Sequence, residues 1–159
     1  MPHNLNIVLV EPEIPMNTGT IGRLCLATGA TLHLIEPLGF EINDSQLKRA
    51  GLDYWKFVTV KIYPDLDSFF QKIPANAPKV FFSTKGKREF FEHSFQKDSY
   101  LFFGSETRGL PKALIESNDE KTYRIPQYDA RVRSINIANA ASIAVYEAIR
   151  QLGYKQEFC

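Results

Sequence analysis

Residues 100–111 read YLFFGSETRGLP: Tyr100-Leu101-Phe102-Phe103, then Gly104-Ser105-Glu106-Thr107-Arg108-Gly109-Leu110-Pro111. Four consecutive apolar or aromatic residues suit a central strand covered on both faces, as in a parallel sheet. The run stops at Gly104, and a Glu and an Arg follow before a second glycine. Pro111 then suits the first position of a helix, where its missing N–H is not needed. A buried strand, a charged turn and a helix start make one β–turn–α step. The turn is open to two readings: an ordinary surface turn, or a cradle for a ligand.

The same step recurs outward along the chain. Residues 5–10 (LNIVLV) are expected to form a buried strand. Residues 17–28 are expected to form a helix, with Ile21, Leu24 and Cys25 at helical spacing and Gly29 as its stop. Residues 31–35 predict a second strand. Asp44 is a candidate N-cap for a short helix ending near Gly51. Residues 58–63 predict a third strand, and 64–72 a helix with Leu66, Phe69 and Phe70 on one face. Residues 79–83 (KVFFS) form a second continuous apolar run. A short helix over 111–116, a strand over 122–125 and a long helix over 137–152 complete the chain. The stretches 74–78, 85–88 and 127–134 read as loops. This alternation argues for an α/β protein with a mostly parallel sheet and flanking helices. No loop is long enough to separate domains, and 159 residues fit one domain over 1–159.

Composition narrows the function classes. Apolar residues make up 44% of the chain and charged residues 23%, an ordinary balance for a soluble protein. The formal net charge is +1, so bulk electrostatics give no reason to propose nucleic acid. An RNA site would need a local patch, or two subunits placed together. Cys25 lies in an apolar helical pattern and Cys159 is the last residue, so no bridge is expected between them. Two reduced thiols suggest a cytoplasmic protein. His3, His33 and His93 show no metal-ligand spacing with either cysteine, so no metal is expected. The N-terminal apolar run ends in Glu11-Pro12-Glu13 and is not a signal peptide. No apolar stretch approaches the roughly 20 residues of a membrane span.

In an open parallel sheet, ligands bind at the carboxyl ends of the strands. Three segments leave strand ends with unusual chemistry: STKGK (83–87), GSETRGLP (104–111) and IPQYDARVRSINIAN (125–139). Fold alone therefore groups Ser83, Thr84, Gly104, Ser105, Glu106, Ile125 and Pro126 on one rim. The chain has no G-x-G-x-x-G after its first strand, no P-loop and no G-x-S-x-G elbow. Each residue also has a purely structural reading. Gly104 suits a turn, and Glu106 with Arg108 a solvated pair. Arg23 suits a surface position with its stem along apolar neighbours. Asn17 and Ser134 both suit helix N-caps. The Ala-rich face of residues 136–149 suits close helix packing, within or between subunits. Tyr146 suits that packing better than a role in stacking on RNA.

Taken together, three segments resemble a known pattern. NTGTIGR (17–23) looks like the N-x-G-x-x-x-R motif of the SpoU branch of the SPOUT RNA methyltransferases. LFFGSETRGLP (101–111) is similar to that family's second motif, and residues 125–151 to its third, in the same order. The second motif carries Ser105 where family members often carry proline. With EPEIPMNTG (11–19) and no extra RNA-binding segment, the chain resembles the minimal members, which methylate the ribose of the tRNA wobble nucleotide.

The resemblance implies a trefoil-knotted C-terminal region, a homodimer, and S-adenosylmethionine as cofactor with S-adenosylhomocysteine as product. It implies a cytidine or uridine at position 34 of the anticodon stem-loop of tRNA as substrate, with no DNA and no membrane partner. Carried onto this chain, cofactor-binding residues would be Phe82, Thr84, Gly104, Glu106, Ile125 and Ser134. Gly104 would let backbone approach the cofactor. Arg23, Asn17, Ser134 and Asn136 would be catalytic, with Arg23 orienting the ribose hydroxyl and a phosphate. Lys85, Arg88, Arg108, Arg131 and Arg133 would meet RNA, together with Lys87. Two alternatives remain open: a related enzyme acting on another tRNA or rRNA nucleotide, and a non-catalytic RNA- or ligand-binding module on the same fold.

Overall fold

The computed structural model describes residues 3–50 and 52–153; the expectations placed on Gly51 and Cys159 lie outside them. The chain runs β1 (Asn6–Val10), α1 (Pro15–Thr28), β2 (Thr31–Ile35), α2 (Ser45–Ala50), a 3-10 helix (Leu52–Phe57), β3 (Val60–Tyr63) and α3 (Leu66–Lys72). It continues through β4 (Lys79–Phe82), β5 (Arg88–Glu89), β6 (Tyr100–Phe103), α4 (Lys112–Ser117), β7 (Thr122–Arg124) and α5 (Ile137–Leu152). The seven strands form one sheet in the order β3-β2-β1-β6-β4-β7-β5. Every neighbouring pair is parallel. The two continuous apolar runs, β4 and β6, lie side by side near the middle, as their composition requires.

Alternate residues of each strand face opposite ways, which divides the core in two. Ile7, Leu9, Leu32, Leu34, Val80, Phe82, Leu101 and Phe103 meet α1 and α5 through Ile21, Cys25, Ala141, Ala144 and Ala148. The alanines of α5 hold it close against the sheet. Val8, Val10, Ile35, Phe81 and Phe102 pack on the opposite face with Phe69 of α3 and Leu114 and Ile115 of α4. On that face, His33 is 2% exposed. Its Nε2–H donates to Asn6 Oδ1 at 2.9 Å, leaving Nδ1 to accept from the Tyr63 hydroxyl at 3.0 Å. Both ring nitrogens are thus satisfied with the ring neutral. Burial, aided by Lys61, pushes its pKa down to about 4. Burial likewise pushes the Cys25 thiol up, which marks it as an unreactive core residue.

Helix starts differ from expectation. α1 begins at Pro15, with Ile14 at the N-cap and no side-chain cap of its own, so Asn17 is not its N-cap. Proline is well suited to the first helical position, and it draws the start forward. Ser134 does not cap α5; Asn136 does, its Oδ1 accepting from Ala138 and Asn139 N–H. Pro111 stands at the N-cap of α4 rather than inside it. Asp65 caps α3 by accepting from Ser68 N–H. Asp44 Oδ1 accepts from Gln46 N–H at the start of α2. Residues 88–89, read as loop, add a short edge strand beside β7. Two residues carry no periodicity, and the pairing rests on β7 alone.

Candidate active site

A cavity of about 570 Å³ opens at the carboxyl ends of β4, β6 and β7. Such a volume suits a cofactor-sized ligand. Phe82, Phe103, Leu110, Ile125, Ile135 and Ala140 give it apolar walls, while Asn17, Thr84, Glu106, Ser134 and Asn136 bring polar groups. The three segments grouped from sequence do converge here. Phe82, Thr84, Gly104, Glu106, Ile125, Ser134, Asn17 and Asn136 all line the cavity. Lys85, Arg108 and Arg133 line it as well. Arg23, Arg88 and Arg131 do not.

The 104–110 turn is held by its own hydrogen bonds. Gly109 N–H donates to Ser105 C=O at 2.9 Å, and Arg108 N–H to Ser105 Oγ at 3.2 Å. A hydroxyl at 105 therefore does a job that proline has no group to do. Gly109 takes φ 69°, in the left-handed region. A Cβ on Gly104 would stand 1.9 Å from Gly109 C and 2.0 Å from Leu110 N. The missing side chain at Gly104 thus lets the loop close on itself. Gly104 also lines the cavity, so this backbone-to-backbone contact stands beside the approach to cofactor expected there.

Glu106 points back into the protein. Its carboxylate accepts from Glu13 N–H at 3.0 Å, Ile14 N–H at 2.6 Å and Asn17 Nδ2–H at 3.4 Å. It supplies from another loop the acceptor that α1 lacks at its N-terminus, where unpaired N–H groups and the helix dipole favour an anion. The solvated Glu106–Arg108 pair does not form, and no ion pair of Arg108 occurs among the described residues. Glu13 answers in kind: its Oε1 accepts from Thr107 N–H at 3.0 Å and Thr107 Oγ1–H at 2.6 Å. These bonds, with smaller help from Ser105 and Arg108, hold the Glu13 carboxyl below its ordinary range. Neither Glu13 nor Thr107 was singled out from sequence. Their partners lie over 90 positions away, and no local spacing announces them.

The cations at the rim differ in how free they are. Arg133 Nη2 donates to Thr107 C=O at 3.0 Å, joining the third segment to the second. Arg131 is bound to Asp129 through a two-pronged contact, its shortest N···O distance 2.6 Å. Arg88 donates to Glu120 C=O and lies over the Tyr123 ring, 5.0 Å from its centre. Lys87 pairs with Asp119 at 3.2 Å. Tyr128, at the tip of the 127–133 loop, is 95% exposed. Arg23 is exposed on α1 and lies 5.6 Å from the centre of the Tyr54 ring. One residue before it, Gly22 makes room for Trp55, whose ring a Cβ would meet at 2.5 Å. Among the described residues, no group of three or more His, Cys, Asp or Glu is placed to hold a metal.

Residues 4–146 match the family model described as the SpoU rRNA Methylase family. A tRNA (cytidine(34)-2'-O)-methyltransferase of Yersinia pestis is 49% identical over 155 residues, covering 94% of this chain and 95% of that one. A solved structure described as giving insight into the 2-OH methylation of C/U34 on tRNA superposes with a TM-score of 0.92 at 42% identity. It covers 96% of this chain and 99% of its own. The SpoU methyltransferase AviRb of Streptomyces viridochromogenes, solved with AdoMet, gives a TM-score of 0.82 at 26% identity, covering 94% of this chain and 58% of that one.

Proposed function

The chain belongs to the SpoU methylase family, and from that premise we propose that it methylates the ribose 2′-hydroxyl of cytidine or uridine 34 of tRNA, using S-adenosylmethionine. The observation that carries this reading is its near full-length likeness to a relative named for that reaction. The cavity fits the cofactor in size and lining. Phe82 and Ile125 would cover the adenine faces, and backbone groups of the 104–110 and 125–135 loops would read its edge. Thr84, Ser134 and Asn136 would hold the polar end of the cofactor and the target ribose. When bound, the cofactor supplies an electrophilic methyl group on sulfonium; the protein supplies orientation. S-adenosylhomocysteine, the product, would leave from the same contacts.

Glu106 enters this reading as the anchor of the loop rather than as a direct ligand, because its oxygens are taken by Glu13, Ile14 and Asn17. Arg23 stands outside its own chain's cavity, so we assign it to the cavity of a second copy. A guanidinium keeps its proton across the physiological range and therefore orients rather than abstracts. Exposed Met16 on α1, with Ile143 and Tyr146 on α5, provides apolar surface for a homodimer. Lys85, Arg108 and Arg133 would meet phosphates first. Arg88 and Arg131 would do so only by sharing their present partners. Tyr128 offers a ring for a base of the anticodon stem-loop.

A single domain, a cytoplasmic setting and the family's C-terminal knot belong to the same proposal. Among the described residues, no helix is long and apolar enough to cross a membrane. The test is methyl transfer from S-adenosylmethionine to unmodified tRNA, mapped by nucleotide. A 2′-O-methyl group confined to position 34 is expected. Transfer to another position, or cofactor binding with no transfer to tRNA, would overturn it.

A further inference from the structure

We propose that Glu13 is a positioning residue of this site: its carboxylate holds the 104–110 loop against the start of α1 and, through Thr107, sets where Arg133 stands on the rim. The inference rests on the cofactor assignment above and adds to it a residue outside the cavity. Glu13 is not among the residues that line the cavity. Its hydrogen bonds go to protein: the N–H to Glu106, and Oε1 from two groups of Thr107. It therefore acts through Thr107.

The post that Glu13 forms is itself fixed. Gly39 N–H donates to Pro12 C=O at 2.9 Å, and a Cβ on Gly39 would meet Glu13 O at 2.5 Å. The loop after β2 thus presses directly on the backbone of residues 12–13. The other side of the clasp is less supported. Thr107, Arg108 and Gly109 are exposed, so no burial holds the loop tip in place. What ties it to the rest of the chain is hydrogen bonding: Glu106 accepts from Glu13 N–H, Ile14 N–H and Asn17, while Thr107 itself is held by the Glu13 carboxylate. The Thr107 carbonyl then accepts from Arg133 Nη2 at 3.0 Å. One side chain, anchored outside the site, so fixes a cofactor loop and an RNA-facing cation together.

Both Thr107 donors reach the same oxygen, Oε1, so an amide oxygen serves as well as a carboxylate oxygen. This separates the clasp from any role for the negative charge. The experiment compares the full-length wild type with Glu13→Ala, Glu13→Gln, Thr107→Val and the Glu13→Ala/Thr107→Val double variant. S-adenosylmethionine affinity is measured by calorimetry, and amide hydrogen exchange is followed at residues 105–108. Glu13→Ala is expected to weaken cofactor binding about tenfold and speed exchange, while Glu13→Gln stays within about threefold of wild type. In turnover, KM for the cofactor moves and kcat stays within about twofold. The double variant is expected to be no worse than Glu13→Ala, because both changes break one contact. Wild-type affinity in Glu13→Ala, a Gln variant as weak as the Ala variant, or additive losses would overturn the proposal. A wild type that binds no cofactor would overturn the functional reading instead. Exchange then still decides the clasp, and unchanged exchange in Glu13→Ala overturns it.

Discussion

Asn136 Nδ2 donates to Asn17 Oδ1 at 3.1 Å, joining residues 119 positions apart at the mouth of the cavity. The same Asn136 caps α5 with its Oδ1, and Asn17 hands the chain of bonds on to Glu106. Asparagine suits both places because its amide donates on one side and accepts on the other. The two residues thereby tie the starts of α1 and α5 to the loop after β6.

The two asparagines are expected to fail differently. Asn136→Ala loses a helix cap as well as the bridge, for about 1 kcal/mol. That corresponds to a fall in Tm of about 2–4 °C in a chain of this size. Asn17→Ala loses the bridge and the long 3.4 Å bond to Glu106 but no helix cap, and its Tm is expected to stay within about 1 °C. Both are expected to lower methyl transfer at least tenfold. Thermal unfolding beside a tRNA methylation assay separates the two effects, and equal Tm losses would refute the division.

Gly104 and Gly109 are expected to respond unequally to alanine. At Gly104 the new Cβ would overlap backbone at 1.9 Å, which no rotamer relieves. The loop must open, and cofactor binding is expected to be lost. At Gly109 nothing lies within 4 Å of the new Cβ, so only the left-handed φ of 69° opposes it. That costs about 1–2 kcal/mol. Calorimetry with S-adenosylmethionine should show Gly109→Ala still binding; equal losses at the two sites would show that steric closure is not what Gly104 provides.

Arg23→Ala is expected to leave cofactor affinity within about twofold of wild type, since Arg23 lies outside the cavity of its own chain. Turnover is expected to fall by a hundredfold or more if the guanidinium orients the hydroxyl. Mixing Arg23→Ala with the cofactor-deficient Gly104→Ala chain should restore activity, because one cavity of the mixed dimer keeps both functions. No recovery would place Arg23 in the site of its own chain.

His33 is expected to make stability sensitive to acid. Burial is the main reason that its pKa falls to about 4, with Lys61 nearby contributing. The unfolded chain takes up this proton near the ordinary value of about 6.5, and the fold only near 4. Between these limits the unfolded state binds more protons, so stability falls as pH drops from about 6.5 to about 4. The contribution is on the order of 3 kcal/mol. Urea unfolding against pH should show a shallower slope in this window for His33→Gln, which keeps donor and acceptor and does not titrate. A slope equal to wild type would mean that the ring is not the source.

The sequence by itself determined the order of strands and helices, the parallel sheet and the three strand ends that meet at the cavity. Those features follow from apolar periodicity and from turn residues, which act over a few neighbouring positions. YLFFGSETRGLP was legible as strand, turn and helix start for that reason. What the turn does was decided only by the tertiary structure. Glu106 caps a helix whose own N-cap residue, Ile14, has no side-chain acceptor. Gly104 makes room for the backbone of Gly109 and Leu110. Arg23 lies outside the cavity that Asn17, six residues before it, lines. Glu13 reaches Thr107 across 94 positions. Each outcome depends on which donor, acceptor or backbone atom arrives from a distant segment. That meeting is set by the packing of the sheet and helices, and no local pattern encodes it.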